Sequence, residues 1–244
     1  MTPPALSVVV PLHNEAEVLP ELARRLLAAA EEIDGEVEVI LVDDASRDRS
    51  PEILAALQGV EVVTMPTNVG QFRATCAGLQ VAKGSAVAVL DGDLQDPPEV
   101  LPSLFLKLQG RQLAFAVKTR RDDPLWFRIG RWGYRLLARV GRGVPPSGAG
   151  SYCVMAQPLA LRVGVSPWRA ANLAAVAVTL AEGEGPWPQV GYEKSARYDG
   201  RSRVGLWGLV EEALGSLRVT GALSRWLLVA GAVLVLGALW GLMA

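Results

Sequence analysis

Three short runs of this chain carry side chains able to do chemistry: His13-Asn14-Glu15, Asp43-Asp44-Ala45-Ser46 and Asp91-Gly92-Asp93. Two carboxylates one residue apart at a turn can present oxygens to a hard divalent ion and leave positions open for a ligand. Mg2+ or Mn2+ held in this way bridges diphosphate oxygens and neutralises the charge that builds on a departing nucleotide. An Asp-x-Asp taken alone says little, because aspartate is common at turns and as a helix cap. Other chemistries are excluded. There is no GxxxxGK[ST] loop and no GxGxxG after a strand, which removes P-loop and dinucleotide-binding readings. The single histidine, His13, excludes HExxH and His-based zinc sites and lies in no nucleophile elbow. Cys76 and Cys153 form no CxxC pair, so neither a disulfide scaffold nor a thiolate zinc site is expected.

The elements that must position these runs alternate along the first 120 residues. Short β-branched runs predict strands at Leu6–Pro11, Val37–Val42, Val60–Met65, Ala86–Leu90 and Leu113–Val117. Helical stretches fall between them, at Glu15–Ile33, Ser50–Gln58, Gln71–Ala82 and Pro98–Leu108. Strands alternating with helices imply an α/β fold with a parallel sheet. Ligands bind beyond the carboxyl ends of strands in such sheets. The three acidic runs follow the first, second and fourth predicted strands, so they are expected to converge on one sheet edge.

Of the 244 residues, half are hydrophobic, and mean hydropathy is +0.26, more apolar than a simple soluble domain needs. With 24 Lys plus Arg against 25 Asp plus Glu, net charge is −1, which argues against a nucleic-acid partner. The excess apolarity sits at the C-terminus. Trp226 to Ala244 holds 19 residues without a charge, and at about 1.5 Å per residue nearly spans a bilayer core of about 30 Å. Arg218 and Arg225 precede it, which predicts a single-pass anchor with the catalytic bulk on the cytoplasmic side; the alternative is a buried core helix. Gly205 to Leu217 has the spacing of an amphipathic helix, either along the bilayer surface or packed on the domain. Ala170 to Ala181 is too short to span and reads as a core or membrane-surface helix. The resulting division is a catalytic domain over 1–203, an amphipathic membrane-proximal helix over 204–222 and a transmembrane anchor over 223–244.

Arg120 to Gly143 interleaves Arg120, Arg121, Arg128, Arg131, Arg135, Arg139 and Arg142 with Trp126, Phe127, Trp132 and Tyr134. It is either a solvated helix with arginines snorkelling over aromatics or a surface that meets anionic head groups or a lipid phosphate.

Several of these runs together resemble one family. Val8-Val9-Val10-Pro11-Leu12-His13-Asn14-Glu15, Val42-Asp43-Asp44-Ala45-Ser46-Arg47-Asp48, Asn68-Val69-Gly70, Ala77-Gly78 and Leu90-Asp91-Gly92-Asp93-Leu94-Gln95-Asp96-Pro97-Pro98-Glu99 are similar to the inverting family 2 glycosyltransferases of GT-A fold. The likeness is to the polyprenyl-phosphate branch that includes dolichyl-phosphate mannose synthases. It is strong over residues 6–120 and returns at Arg197-Tyr198-Asp199-Gly200-Arg201-Ser202-Arg203. The resemblance implies a Rossmann-like sheet flanked by helices and transfer of one sugar from a UDP- or GDP-linked donor to a polyprenyl phosphate, with Mg2+ or Mn2+. It implies that Pro11, His13 and Glu15 line the nucleotide pocket and that Asp43 and Asp44 hold base and ribose. Asp91, Asp93 and Gln95 would hold the metal, with Gly92 between them in the donor site. Arg120 falls near the phosphates, Arg128 and Arg131 are candidates for the acceptor phosphate, and Ser202 and Arg203 close a loop over the donor.

One departure bears on the acceptor. Many relatives carry G-D-F-R-L where this chain reads Gly150-Ser151-Tyr152-Cys153-Val154, so a carboxylate becomes Ser151. A hydroxyl acceptor would feel the loss of a general base there. A phosphate monoester, with a second pKa near 6, is already ionised at neutral pH and needs none. Ser151 therefore favours a phosphate acceptor. A glycolipid synthase using a lipid hydroxyl, or a non-catalytic nucleotide-sugar-binding module, stands as the alternative. The processive Q-x-x-R-W motif is absent, which argues against polymer synthesis.

Overall fold

The computed structural model describes residues 2–119, 145–168, 172–181, 186–194, 215–216, 218–219 and 221. Those residues form a seven-stranded sheet of order β3-β2-β1-β4-β6-β5-β7. The strands are β1 Leu6–Leu12, β2 Val37–Asp43, β3 Glu61–Thr64, β4 Ala86–Val89, β5 Leu113–Lys118, β6 Ala149–Ala156 and β7 Gln189–Tyr192. Helices α1 Leu19–Glu31, α2 Ser50–Ala56, α3 Gln71–Val81, α4 Leu101–Leu108, α5 Gln157–Gly164 and α6 Leu173–Leu180 flank it, and a 3-10 turn at Pro98–Val100 precedes α4.

Every neighbouring pair is parallel except those of β6, which runs antiparallel to both β4 and β5. The sheet is thus mostly parallel, as expected, with one reversed strand. That reversal brings the start of β6 to the same edge as the ends of its neighbours.

Alternation along the strands divides the core between two faces. Val9, Ile40, Val87, Val89 and Phe115 pack with Phe72 and Leu79 of α3 and Leu159 and Val163 of α5. Val8, Val10, Leu41, Ala88 and Val154 pack with Leu19, Leu22 and Leu26 of α1 and Leu101 and Leu104 of α4. Each such side chain contributes about 1.5–3 kcal/mol of burial. Gly78 lets α3 lie close on the first face: a Cβ there would stand 2.4 Å from Val9 Cγ1 and 2.9 Å from Val42 Cγ2. Pro11 is tolerated in a central strand because the pairing of β1 with β4 has already ended at Val9 and Val89.

The helix predicted over Glu15–Ile33 starts only at Leu19. Before it, residues 15–18 form a turn closed by the Val18 and Leu19 N–H groups on the Glu15 carbonyl, while the N–H groups of Glu15 and Ala16 are tied to Ser50 Oγ at 3.0 Å and Asp48 Oδ2 at 3.2 Å. Within the apolar stretch 170–181, Leu173–Leu180 form a core helix: α6 is capped by Asn172 Oδ1, which accepts from the Ala174 N–H at 2.9 Å, and Leu173 to Val178 are buried. Among the described residues no helix is long and apolar enough to cross a membrane. The segment 226–244 lies outside the described residues, as do nearly all of 205–217 and the basic segment 120–143.

Candidate active site

The loops after β1, β2 and β4 meet at one edge of the sheet and are tied together side chain to backbone. The His13 Nδ1–H donates to the Asp44 carbonyl at 2.8 Å, and Asn14 Nδ2 stands 2.9 Å from His13 Nε2. A carbonyl can only accept, so the geometry assigns the ring proton to Nδ1 and leaves Nε2 to accept from Asn14. The Asn14 N–H donates to Ser46 Oγ at 2.8 Å, while its side-chain oxygen accepts from the Arg47 N–H at 2.8 Å. The third loop sits over the first. A Cβ on Gly92 would approach the Pro11 carbonyl to 3.2 Å, so the turn between Asp91 and Asp93 rests against the end of β1.

Asp43 and Asp44 are buried, at 1% and 3% exposure. Asp43 Oδ1 accepts from the Ser46 N–H at 3.1 Å. Both carboxylate oxygens of Asp44 accept from backbone, Oδ1 from Val69 N–H at 2.7 Å and Oδ2 from Gly70 N–H at 2.8 Å. Asp44 thereby shapes the turn that leads into α3. That turn ends at Gln71, whose Nε2 donates to Asp91 Oδ1 at 2.5 Å. Ser151, near the start of reversed β6, donates its Oγ–H to the same oxygen at 2.6 Å. Asp93 Oδ1 accepts from the Gln95 N–H at 3.1 Å, and Gln95 is itself buried.

Behind Asp91 lies a second buried carboxylate. Asp96, 1% exposed, accepts a short hydrogen bond from the Tyr192 hydroxyl and has Lys118 Nζ at 3.6 Å. Its Oδ2 is buried without a hydrogen-bond partner among the described residues. Tyr152 packs edge-on against Tyr192, ring centroids 5.7 Å apart, and its hydroxyl donates to the Pro97 carbonyl at 3.0 Å. Burial, then the Asp96 charge, push the Asp91 carboxyl up to about 6; the Ser151 hydroxyl and Lys118 pull against this, and Asp93 adds to it. Burial and the Asp96 charge likewise push the Tyr192 hydroxyl well above the tyrosine range.

Among the described residues, three carboxylates, Asp91, Asp93 and Asp96, face Lys118 at this corner, an excess of negative charge that favours a cation. By donor type Asp91, Asp93 and Gln95 suit a hard divalent ion, while among the described residues no cluster of three or more His, Cys, Asp or Glu side chains could by itself hold a metal ion. A divalent ion held here would keep coordination positions for a substrate.

The structure therefore brings Pro11, His13, Glu15, Asp43, Asp44, Asp91, Gly92, Asp93 and Gln95 to one edge. Arg120, Arg128, Arg131, Ser202 and Arg203 lie outside the described residues. Gln71, Lys118 and Tyr192 were not singled out from the sequence. Gln71 had a signal, its place directly after Asn68-Val69-Gly70 at a helix start. Lys118 and Tyr192 had none, since their partner Asp96 is 22 and 96 residues away.

Comparison with known proteins agrees with this architecture. One curated relative, the undecaprenyl-phosphate 4-deoxy-4-formamido-L-arabinose transferase of Pseudomonas aeruginosa, is 41% identical over 138 residues, 54% of this chain and 40% of the relative. The protein of the same name from Pseudomonas fluorescens is 43% identical over 138 residues, again 54% of this chain and 40% of its own length. The match thus spans about two-fifths of these relatives. Among solved structures, mannosyl-3-phosphoglycerate synthase from Rubrobacter xylanophilus has a TM-score of 0.64 at 18% identity, covering 94% of this chain and 75% of that one. Glucosyl-3-phosphoglycerate synthase from Mycobacterium tuberculosis, in complex with Mn2+, UDP and glucosyl-3-phosphoglycerate, has a TM-score of 0.57 at 24% identity, covering 91% and 80%. These two share the GT-A type of fold. Residues 7–152 match the family described as Glycosyl transferase family 2, well over half of the chain, and the protein belongs to that family.

Proposed function

We propose that this protein is an inverting, metal-dependent glycosyltransferase that moves one sugar from a UDP- or GDP-linked donor to a polyprenyl phosphate at the cytoplasmic membrane face. Two things support the reading: relatives named as undecaprenyl-phosphate sugar transferases match over 54% of the chain, and Ser151 stands beside Asp91. The second carries the choice of acceptor. At position 151 the site holds a hydroxyl whose proton is committed to Asp91 Oδ1, so no carboxylate there can deprotonate an alcohol.

In the proposed reaction an ionised acceptor phosphate oxygen forms a bond to the anomeric carbon from the face opposite the donor. The bond from that carbon to the diphosphate breaks, and the nucleoside diphosphate leaves with the electron pair. No proton has to move, because a phosphate monoester is already largely dianionic near neutral pH. When bound at Asp91, Asp93 and Gln95, Mg2+ or Mn2+ would supply charge neutralisation at the departing diphosphate. Pro11, His13, Glu15, Asp43 and Gly92 would form the walls of the nucleotide pocket, with Asp44 shaping it through the turn at 69–70. Arg120, Arg128 and Arg131 would pair with acceptor or donor phosphates through charge-assisted bonds, and Ser202 and Arg203 would close over the donor. The segment 223–244 would hold the catalytic domain, 1–203, against its lipid substrate, with 204–222 leading into that segment and packed on the domain at Ser216 and Val219, which are buried.

The test is a panel of labelled nucleotide sugars incubated with detergent-solubilised protein, Mn2+ and undecaprenyl phosphate, with label counted in the organic phase. Label in the organic phase is expected for one donor and none for Asp93→Ala, whose thermal unfolding should match the parent. Full transfer by Asp93→Ala would contradict the metal assignment.

A further inference from the structure

The manner in which Asp91 is held sets it apart from the other carboxylates at this edge. Its Oδ1 takes two hydrogen bonds, from Gln71 Nε2 at 2.5 Å and Ser151 Oγ at 2.6 Å, and among the described residues Oδ2 takes none. The donors come from elements 20 residues before and 60 residues after it. Gln71 opens α3, and the preceding turn is pinned by both oxygens of Asp44, with Gly70 at φ +86°. Ser151 is delivered by the antiparallel strand between β4 and β5. A continuous hydrogen-bonded path thus runs from Asp44 through the turn at 69–70 and Gln71 to Asp91, and Ser151 closes it from the other side.

We propose that Gln71 and Ser151 are positioning residues for Asp91, engaging one oxygen of its carboxylate so that the other is left to a divalent cation. The proposal rests on the reading that Asp91 and Asp93 hold such a cation. A carboxylate fixed beforehand loses less rotational freedom on binding than a free one. Bound through one oxygen, it also leaves a coordination position for the diphosphate. Partners that orient a metal ligand are commonly worth roughly 10–100-fold in metal affinity. A serine suits this task better than a carboxylate would. It donates to Asp91, whereas an ionised aspartate has no proton to donate. Gln71 is exposed and bonds Asp91 across the site, so its contribution to folding is small and its removal reads on Asp91.

The experiment is a Mn2+ titration of the full chain in detergent, followed by the electron paramagnetic resonance signal of free Mn2+, with and without UDP. No acceptor enters it, so its outcome is independent of the acceptor assignment. Gln71→Ala and Ser151→Ala are each expected to weaken Mn2+ binding roughly 10-fold or more. Ser151→Thr, which keeps the hydroxyl, should bind as the parent does, and thermal unfolding midpoints should remain close to the parent's for all three. Unchanged Mn2+ affinity in both alanine variants overturns the proposal while the cation site stands. Loss in Ser151→Thr as large as in Ser151→Ala overturns the role of the hydroxyl. A parent protein that takes up no Mn2+ in either condition removes the cation reading itself, and this proposal with it.

Discussion

Asn14, Ala45 and Leu94 adopt left-handed backbone with φ of 56°, 54° and 59°, one in each of the three loops that build the site. Asparagine tolerates this region, but alanine and leucine do so at a cost of roughly 1–2 kcal/mol. The strain is held in place by bonds on either side, for Ala45 by the Asp44 and Ser46 contacts to His13, Asp43 and Asn14. Ala45→Gly should therefore leave unfolding free energy unchanged or raise it by up to about 1 kcal/mol, relief of strain being partly offset by the freer unfolded chain. Ala45→Val should lower it by about 1–3 kcal/mol, since a branched Cβ fits this region poorly. Urea unfolding of the two variants against the parent checks both signs. The acidic residues were legible because three acidic runs follow strands of one parallel sheet and so converge on one edge, whereas a single aspartate there would read equally as a turn or a cap. Gln71 was not, and Ser151 appeared only as a departure from a pattern. Their meaning lies in Asp91, and sequence spacing does not show who donates to whom.

At the scale of elements, the opposite edge of the sheet is organised by one carboxylate. Glu38 on β2 accepts from Ser7 Oγ of β1 at 2.6 Å and from the Lys83 N–H at 3.0 Å, with Lys83 Nζ at 3.2 Å. Ser7 Oγ in turn accepts from the Gly84 N–H at 2.8 Å, where a Cβ would stand 2.4 Å from the Ser7 nitrogen. These bonds join the starts of β1, β2 and β4. Burial works to raise the Glu38 carboxyl, but the Ser7 and Lys83 contacts outweigh it and hold it below its ordinary 4.5. A carboxyl depressed in the folded state contributes stability above its ordinary pKa and loses it as pH falls through the folded value. Glu38→Gln should thus cost about 1–2 kcal/mol at pH 7 and almost nothing once Glu38 is protonated in the parent. Urea unfolding of both proteins from pH 7 into the acid range should show the curves converging below pH 4.5; a constant gap would contradict it.

The alternation of strand and helix up to residue 119 was legible because β-branched runs and helical periods follow each other cleanly there. β6 was not. Tyr152 to Met155 are buried on both faces, so the strand shows no polar alternation, and nothing local distinguishes an antiparallel strand from a parallel one. β7 has four residues beside a Gly/Pro-rich loop, too few for a pattern. The late start of α1 was hidden for a different reason: the stretch before it is tied to Ser50 and Asp48, 35 and 32 residues away.

For the whole molecule, β6 matters because its reversal completes the site. The six parallel strands deliver to this edge only loops that follow strands; the one reversed strand adds a residue that precedes most of its own strand, Ser151, to the same edge. In the proposed reaction the acidic loops would supply the cation ligands, and position 151 offers a hydroxyl donor in place of a base. The chemistry this permits is transfer to an acceptor that arrives already ionised. The most direct measurement is transfer of labelled sugar to undecaprenyl phosphate and to undecaprenol side by side, each with Mn2+ and with excess EDTA. Label should pass to the phosphate alone, and only while the metal is present. Transfer to the free alcohol at a comparable rate, or transfer that survives EDTA, would contradict the account.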